Sequence, residues 1–236
     1  MAYREQLLKV DMGSAGMLMQ DGLSHWARTW EYPYTLHAIA RFLKNREPRQ
    51  RILDAACGYT PVPIALATIG HEVVGVDIDR SLPEVWANTR LAANAVPGGS
   101  LRFEYGDMEK LQIADATFDV GCSVSSLEHT PHPDIAVREL CRVVKKGGLI
   151  VLTCDLDATG KDGIGQAVFD AMLAELHRCS DYWNRPRWCH PADVLTWTNR
   201  ERQTGNFLQS ALHRYRRFFK TGGPDTTNFC IACVKR

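Results

Sequence analysis

Apolar positions in the middle of the chain fall into short runs, separated by stretches in which they recur every three or four residues. The run Arg51-Ile-Leu-Asp-Ala55 predicts a buried strand that ends in a polar turn. Residues Pro61 to Ile69 follow as a helix, with prolines confined to its first turn and Gly70 just past its end. Glu72 to Asp77 is a second buried strand. Ser81-Leu-Pro-Glu84 has capping-box spacing and predicts a helix to about Ala95, before the Pro97-Gly98-Gly99 break. Leu101 to Tyr105 alternates as a third strand, and Phe118 to Val124 makes a fourth. Ile135, Val137, Leu140, Cys141 and Val144 share one face of a helix that is expected to end at Lys145-Lys146-Gly147. Leu149 to Cys154 is the fifth strand. Strand and helix in strict alternation require right-handed crossovers, and hence a doubly wound α/β fold with a parallel sheet covered on both faces.

The ends depart from this rhythm. Tyr32 to Asn45 reads as a helix entered through Pro33, with Leu36, Ile39, Ala40 and Leu43 inward. Beyond Leu156, Val168 to His177 and Pro191 to Thr198 read as helical, and Phe229 to Val234 as a last buried strand. Phe207 to Phe219 fits strand or helix equally, so the pattern places no sixth strand. The expected division is an N-terminal helical extension or lid over 1–49 and one domain over 50–236. That domain has a core at 50–155 and an elaboration at 156–236.

Composition narrows the class. In 236 residues, 45% are hydrophobic and 23% charged, which excludes disorder, collagen and coiled coil. Lys and Arg number 28 against 27 Asp and Glu, so the chain lacks the broad basic field of a dedicated nucleic-acid binder. Met1 to Val10 carries charges where a signal peptide needs an apolar stretch, and the run Leu149 to Cys154 is too short to span a bilayer. The expectation is a cytoplasmic protein with no membrane partner and its eight cysteines reduced.

The chemistry gathers at the strand ends. The turn Asp54-Ala-Ala-Cys-Gly-Tyr-Thr60 lies between strand and helix, at the edge where open parallel sheets bind ligands. Gly58 lets a ligand approach the backbone, and Asp77 ends the next strand where a carboxylate could accept both hydroxyls of a ribose. A dinucleotide site would show Gly-x-Gly-x-x-Gly to cradle a pyrophosphate. Here Gly58 alone holds such a position, and Asp54 would repel a pyrophosphate while suiting a ligand with an ammonium and a sulfonium.

Ile52-Leu-Asp-Ala-Ala-Cys-Gly58 resembles the first motif of the class I S-adenosylmethionine (SAM) dependent methyltransferases, with Ala56 at a position usually glycine. Val73-Val-Gly-Val-Asp-Ile-Asp79, Tyr105-Gly-Asp-Met108, Phe118-Asp-Val-Gly-Cys-Ser-Val124 and Arg142 to Ile150 resemble the later motifs, in order. The resemblance covers about Arg51 to Asp155. It implies a mostly parallel seven-stranded sheet whose last strand, Phe229 to Val234, is antiparallel. It also implies SAM as cofactor. Asp54, Ala56 and Gly58 would hold it at the first turn, Asp77 and Ile78 at the ribose, and Asp107 and Met108 at the adenine, with Ser123 on the fourth strand.

Residues after the fourth strand of this fold lie beside the methyl group, and here they read Ser125-Ser-Leu-Glu-His-Thr130. His129 is the candidate base or acceptor-orienting group, with Glu128 assisting; the plain alternative is a pair of polar loop residues. Asp155 and Asp157 are weaker candidates for the acceptor wall. The loop lacks the Asp/Asn-Pro-Pro-Tyr/Phe motif of amino-directed DNA methyltransferases, and the chain has no Pro-Cys pair of the cytosine C5 kind. The expected acceptor is therefore an oxygen or nitrogen of a small molecule, without a metal.

Other signals pull elsewhere. His213 to Lys220 interleaves basic and aromatic residues, which would suit RNA or another phosphorylated acceptor, or a solvated helix face. An RNA or protein methyltransferase using that stretch is one rival; a silent SAM-binding partner subunit is another. A homodimer is compatible with the sequence. Cys230-Ile-Ala-Cys233 with Cys179 and Cys189-His190 could be drawn as zinc ligands, but residues three apart on a strand face opposite ways. Trp26, Arg28, Tyr34, Tyr182, Trp183 and Trp188 could cover the cofactor or simply pack.

Overall fold

The computed structural model describes residues 28–87, 98–157, 163–183 and 226–236. Helix α1 (Arg28–Leu43) leads into β1 (Arg51–Ala55), α2 (Val62–Thr68), β2 (Glu72–Asp77), α3 (Leu82–Ala87), β3 (Ser100–Tyr105) and β4 (Phe118–Val124). A 3₁₀ turn at Leu127–His129 precedes α4 (Pro133–Val143), β5 (Val144–Asp157), α5 (Gln166–Cys179), β6 (Ser180–Tyr182) and β7 (Thr226–Lys235).

These strands form one seven-stranded sheet in the order β3-β2-β1-β4-β5-β7-β6. Neighbours among β1 to β5 pair parallel, and β7 runs antiparallel to both β5 and β6. The expected mostly parallel sheet with its final strand reversed is therefore present. Winding changes direction between β1 and β4, which opens a crevice at the carboxyl ends of the strands.

The strands read as nearly continuous apolar runs because both faces are covered. Successive residues alternate between two cores. Ile52, Val73, Leu149, Val151 and Ala232 pack with Leu36 and Ile39 of α1 and Ile64 and Leu66 of α2. Leu53, Val74, Ile150, Leu152, Ile231 and Cys233 pack with Val137 and Leu140 of α4 and Met172 and Leu176 of α5. The same parity puts Cys230 on the side opposite Cys233.

Several expectations need correction. Pro33 lies inside α1, which starts at Arg28. Proline there forfeits one intrahelical bond, while buried Glu31, Tyr32, Thr35, Leu36 and Ile39 anchor the helix. Ser81 does not act as the expected capping hydroxyl. Its Oγ and its amide both donate to Asp79 Oδ1 (2.7 and 2.9 Å), and an ionised acceptor is the stronger partner. Residues 88–97, where that helix was expected to continue, lie outside the described residues, as do 191–198 and 207–219. Helix α4 stops at Val143, and Lys145 to Gly148 form an irregularity inside β5 where the pairing jumps from Phe118↔Val144 to Val120↔Leu149. The sixth strand that the pattern could not place is the short edge strand β6. Cys141 and Cys179 form a disulfide that ties α4 to α5, against the expectation of eight reduced cysteines. No described helix is long and apolar enough to cross a membrane.

Arg142 couples this frame to the loop after β3. Its guanidinium donates to both oxygens of Glu139 (2.8 Å each), to Asp115 Oδ1 (2.6 Å) and to the carbonyls of Ile113 and Leu111 (2.7 and 3.0 Å). These charge-assisted bonds hold the guanidinium pKa above its ordinary value. Lysine cannot reproduce the fork. Arg142→Lys is expected to remove about 1–3 kcal/mol, lowering the midpoint of thermal unfolding by roughly 2–10 °C.

Candidate active site

Four strand ends converge on one cleft of about 520 Å³, within the range of about 300–1,000 Å³ common to small-ligand sites. The turn after β1 supplies Ala56 to Thr60, β2 supplies Asp77 and Ile78, and the end of β3 supplies Gly106 to Glu109. The segment after β4 supplies Val124 to Ser126 and His129 to Pro131.

The first turn is held by backbone geometry and one carboxylate. Ala56 and Gly58 both adopt left-handed conformations, with φ of 55° and 48°. This is ordinary for glycine and strained for alanine. A Cβ added at Gly58 would meet nothing within 4 Å, so this glycine serves conformation and leaves open space above the backbone. The Cys57 amide bonds the Val76 carbonyl (3.1 Å), and the Gly58 amide donates to Asp77 Oδ2 (2.8 Å). Asp77 Oδ1 accepts the Asp79 amide (2.9 Å). Each oxygen thus keeps a lone pair for a further donor while the carboxylate is locked in place.

Tyr59 reaches across the mouth of the cleft, its hydroxyl donating to Asp79 Oδ2 (2.9 Å) and lying 3.0 Å from Ser81 Oγ. Ile78 is 66% exposed beside Asp77, an apolar side chain open to a flat ligand surface. Asp107 Oδ1 caps the next turn through the Glu109 amide (2.8 Å). Glu109 in turn accepts the Thr130 hydroxyl and the His132 amide, stitching the β3 side of the cleft to the segment after β4.

Beyond β4 the chain turns sharply at Ser125, whose φ is 51°. Its amide meets both the carbonyl and the Oγ1 of Thr153 (2.9 and 3.1 Å), and its own hydroxyl donates to Glu128 Oε1 (2.7 Å). His129 lines the cleft; Glu128 does not, being turned toward Ser125.

Of the residues singled out from sequence, Ala56, Gly58, Asp77, Ile78, Asp107, Met108 and His129 line this one cleft. Asp54 and Ser123 lie fully buried behind its wall, Ser123 bonding Ser126 Oγ (2.6 Å). Trp183 packs edge-on against Phe42 of α1, and Arg41 lies over its ring. Trp26, Trp188, Cys189 and the basic stretch 213–220 lie outside the described residues, which hold no cluster of metal-ligating side chains. Tyr59, Thr60 and Glu109 were missed. The first two follow Gly58 directly, and the third follows Met108, so adjacency to the motifs was the available signal.

Comparison with known proteins agrees with this geometry. A methyltransferase domain model matches residues 53–152. The chain is 33% identical over 167 residues to 2-methyl-6-phytyl-1,4-hydroquinone methyltransferase of Synechocystis, covering 66% of this chain and 46% of that one. It is 32% identical over 124 residues to a ubiquinone biosynthesis O-methyltransferase of Alkalilimnicola ehrlichii, covering 51% and 47%. The chain spans less than half the length of these curated relatives. In fold, it aligns with the [4+2]-cyclase SpnF at a TM-score of 0.57 and 18% identity, over 84% of this chain and 80% of that one.

The polar groups at the cleft fit a cationic amino-acid-bearing cofactor such as SAM. Thr60 Oγ1 is buried in the cleft wall with no hydrogen-bond partner, and neither Asp54 carboxyl oxygen meets an N–H or O–H donor. Burial, with a smaller contribution from the Asp77 charge, pushes the Asp54 carboxyl up to about 8; the Cys122 thiol offsets part of that rise. A nearby cation would favour the ionised form.

Two outcomes follow from these strained and buried groups. Between its unfolded value near 4 and its folded value of about 8, Asp54 holds a proton that the unfolded chain has released. Stability of the ligand-free protein therefore falls as pH rises through that window, and Asp54→Asn flattens the slope in denaturant melts. Ala56→Gly relieves the left-handed strain by more than it adds unfolded-state entropy, and raises the thermal midpoint by roughly 1–3 °C.

Proposed function

We propose that the chain is a class I S-adenosylmethionine-dependent methyltransferase, as its matched methyltransferase domain suggests, and that it transfers a methyl group to a hydroxyl oxygen of a small molecule. The observation that carries this reading is one cleft lined both by the fixed carboxylate of Asp77 and by His129. The name of the first relative, a hydroquinone methyltransferase, makes hydroquinones the first acceptor class to try, and the O-methyltransferase name of the second favours oxygen.

When bound, SAM supplies a methyl already activated on a sulfonium, so alignment and exclusion of water provide much of the rate. The chain's own residues divide the remaining work. Asp77 accepts ribose hydroxyls with the lone pairs that the Gly58 and Asp79 amides leave free. Asp107 offers its second carboxylate oxygen to an exocyclic amine, while Met108 and Ile78 give apolar contact to a flat base. Thr60 Oγ1 finds in a ligand carboxylate or ammonium the partner it lacks. Asp54, behind the turn, contributes negative potential toward a cation. An oxygen acceptor must lose a proton as it attacks, and His129 takes that proton on a ring nitrogen. Glu128 acts indirectly, fixing the turn that presents His129.

Radiolabelled SAM supplied to the protein with hydroquinones, a small-molecule extract and total RNA tests this directly. Label is expected in the small-molecule fraction; incorporation into RNA alone would overturn the assignment. Calorimetry should show SAM binding and no NAD binding. His129→Ala is expected to lower turnover by about 10²–10⁴-fold with SAM affinity little changed, and full turnover by this variant would remove the base.

A further inference from the structure

Glu31 is fully buried on α1, far in sequence from the motifs that build the cleft. A buried carboxylate such as this one is costly to the fold unless it is hydrogen-bonded. Its Oε1 accepts the hydroxyl of Thr153 at 2.9 Å. Thr153, also fully buried, has a single hydroxyl hydrogen to give. That hydrogen is therefore committed to Glu31, which turns a lone pair of Thr153 Oγ1 toward the Ser125 amide at 3.1 Å.

We propose that Glu31 is a positioning residue for methyl transfer: through Thr153 it holds the left-handed turn at Ser125 that presents His129 to the cleft. The inference rests on the reading that His129 faces the transferred methyl. Ser125 has a φ of 51°, a conformation a non-glycine residue keeps only when its surroundings enforce it. Three bonds enforce it here: its amide to the Thr153 carbonyl, its amide to Thr153 Oγ1, and its hydroxyl to Glu128 Oε1. Glu31 determines the orientation of the second. The helix before β1 is thus wired to the reacting end of the cleft, leaving the nucleotide end to Asp77.

Hydrogen–deuterium exchange on the full chain, read by mass spectrometry, tests the link without needing the acceptor. Glu31→Leu and Thr153→Val are expected to raise exchange over residues 125–130 by about three- to tenfold, with β1 and β2 unchanged. Glu31→Gln keeps an accepting oxygen and Thr153→Ser keeps the hydroxyl, so both should stay near wild type; a purely space-filling role would not be rescued this way. With labelled SAM and a working acceptor, the Leu and Val variants should lose turnover while the KM for SAM holds. Unchanged exchange over 125–130 in Thr153→Val, which removes the link without deleting a charge, overturns the proposal even if Glu31→Leu does not fold. Full turnover by His129→Ala alongside the expected exchange pattern would defeat the base assignment and leave the positioning role standing.

Discussion

The bond from the Gly58 amide to the Asp77 carboxylate closes the first turn against the end of the second strand, and the shape of the cleft follows from it. The partner oxygen takes the Asp79 amide, so the carboxylate cannot swing away when no ligand is present. The Gly106 amide bonds the carbonyl of the same aspartate at 2.8 Å, which brings the end of β3 into the same junction. One residue thus fixes three strand ends relative to one another. A parallel sheet makes such a junction available because its strands all end on one side.

Around that junction the chain departs from what stability alone would select. Alanine and serine occupy left-handed backbone at positions 56 and 125. Asp54 and Thr60 hide polar atoms without hydrogen bonds. Each of these opposes folding, and each lies in or directly behind the wall of the cleft. Local conflict of this kind marks functional sites, where a ligand can complete interactions that folding leaves open. On the proposed function, the unpartnered polar atoms of Asp54 and Thr60 would suit a cation and an amino-acid head.

The parallel core was readable because its signal is local. Each strand is a continuous apolar run, each is followed by its own turn chemistry, and the candidate residues Gly58, Asp77 and Asp107 sit at those turns. Elements whose identity depends on distant partners were not readable. Strand β6 has three residues and exists only because β7 offers it an edge. The start of α1 was misplaced because proline reads as an entry signal, whereas burial of Glu31 and Tyr32 carries the helix past it. Ser81 matched a capping pattern, but Asp79, two residues earlier, is a stronger acceptor and takes its hydroxyl. The Cys141–Cys179 bond joins helices 38 residues apart, a separation at which spacing carries no information.

The same contrast separates binding from catalysis. The fold is similar to that of a [4+2]-cyclase, so the architecture alone does not dictate methyl transfer. On the proposed function, the acceptor meets the segment after β4, where Ser125 turns the backbone and His129 lines the cleft. The neighbouring Glu128 supplies one of the bonds that hold that turn, and the others come from far along the chain. The turn draws on Thr153 from β5 and, 122 positions earlier than Thr153, on Glu31 from α1. The turns at Gly58, Asp77 and Asp107 come from segments that each carry their own signature, whereas the turn at Ser125 is held by side chains that meet only once the sheet has formed. A fold organised in this way can exchange the second set while keeping the first, which is how one cofactor-binding frame serves many acceptors.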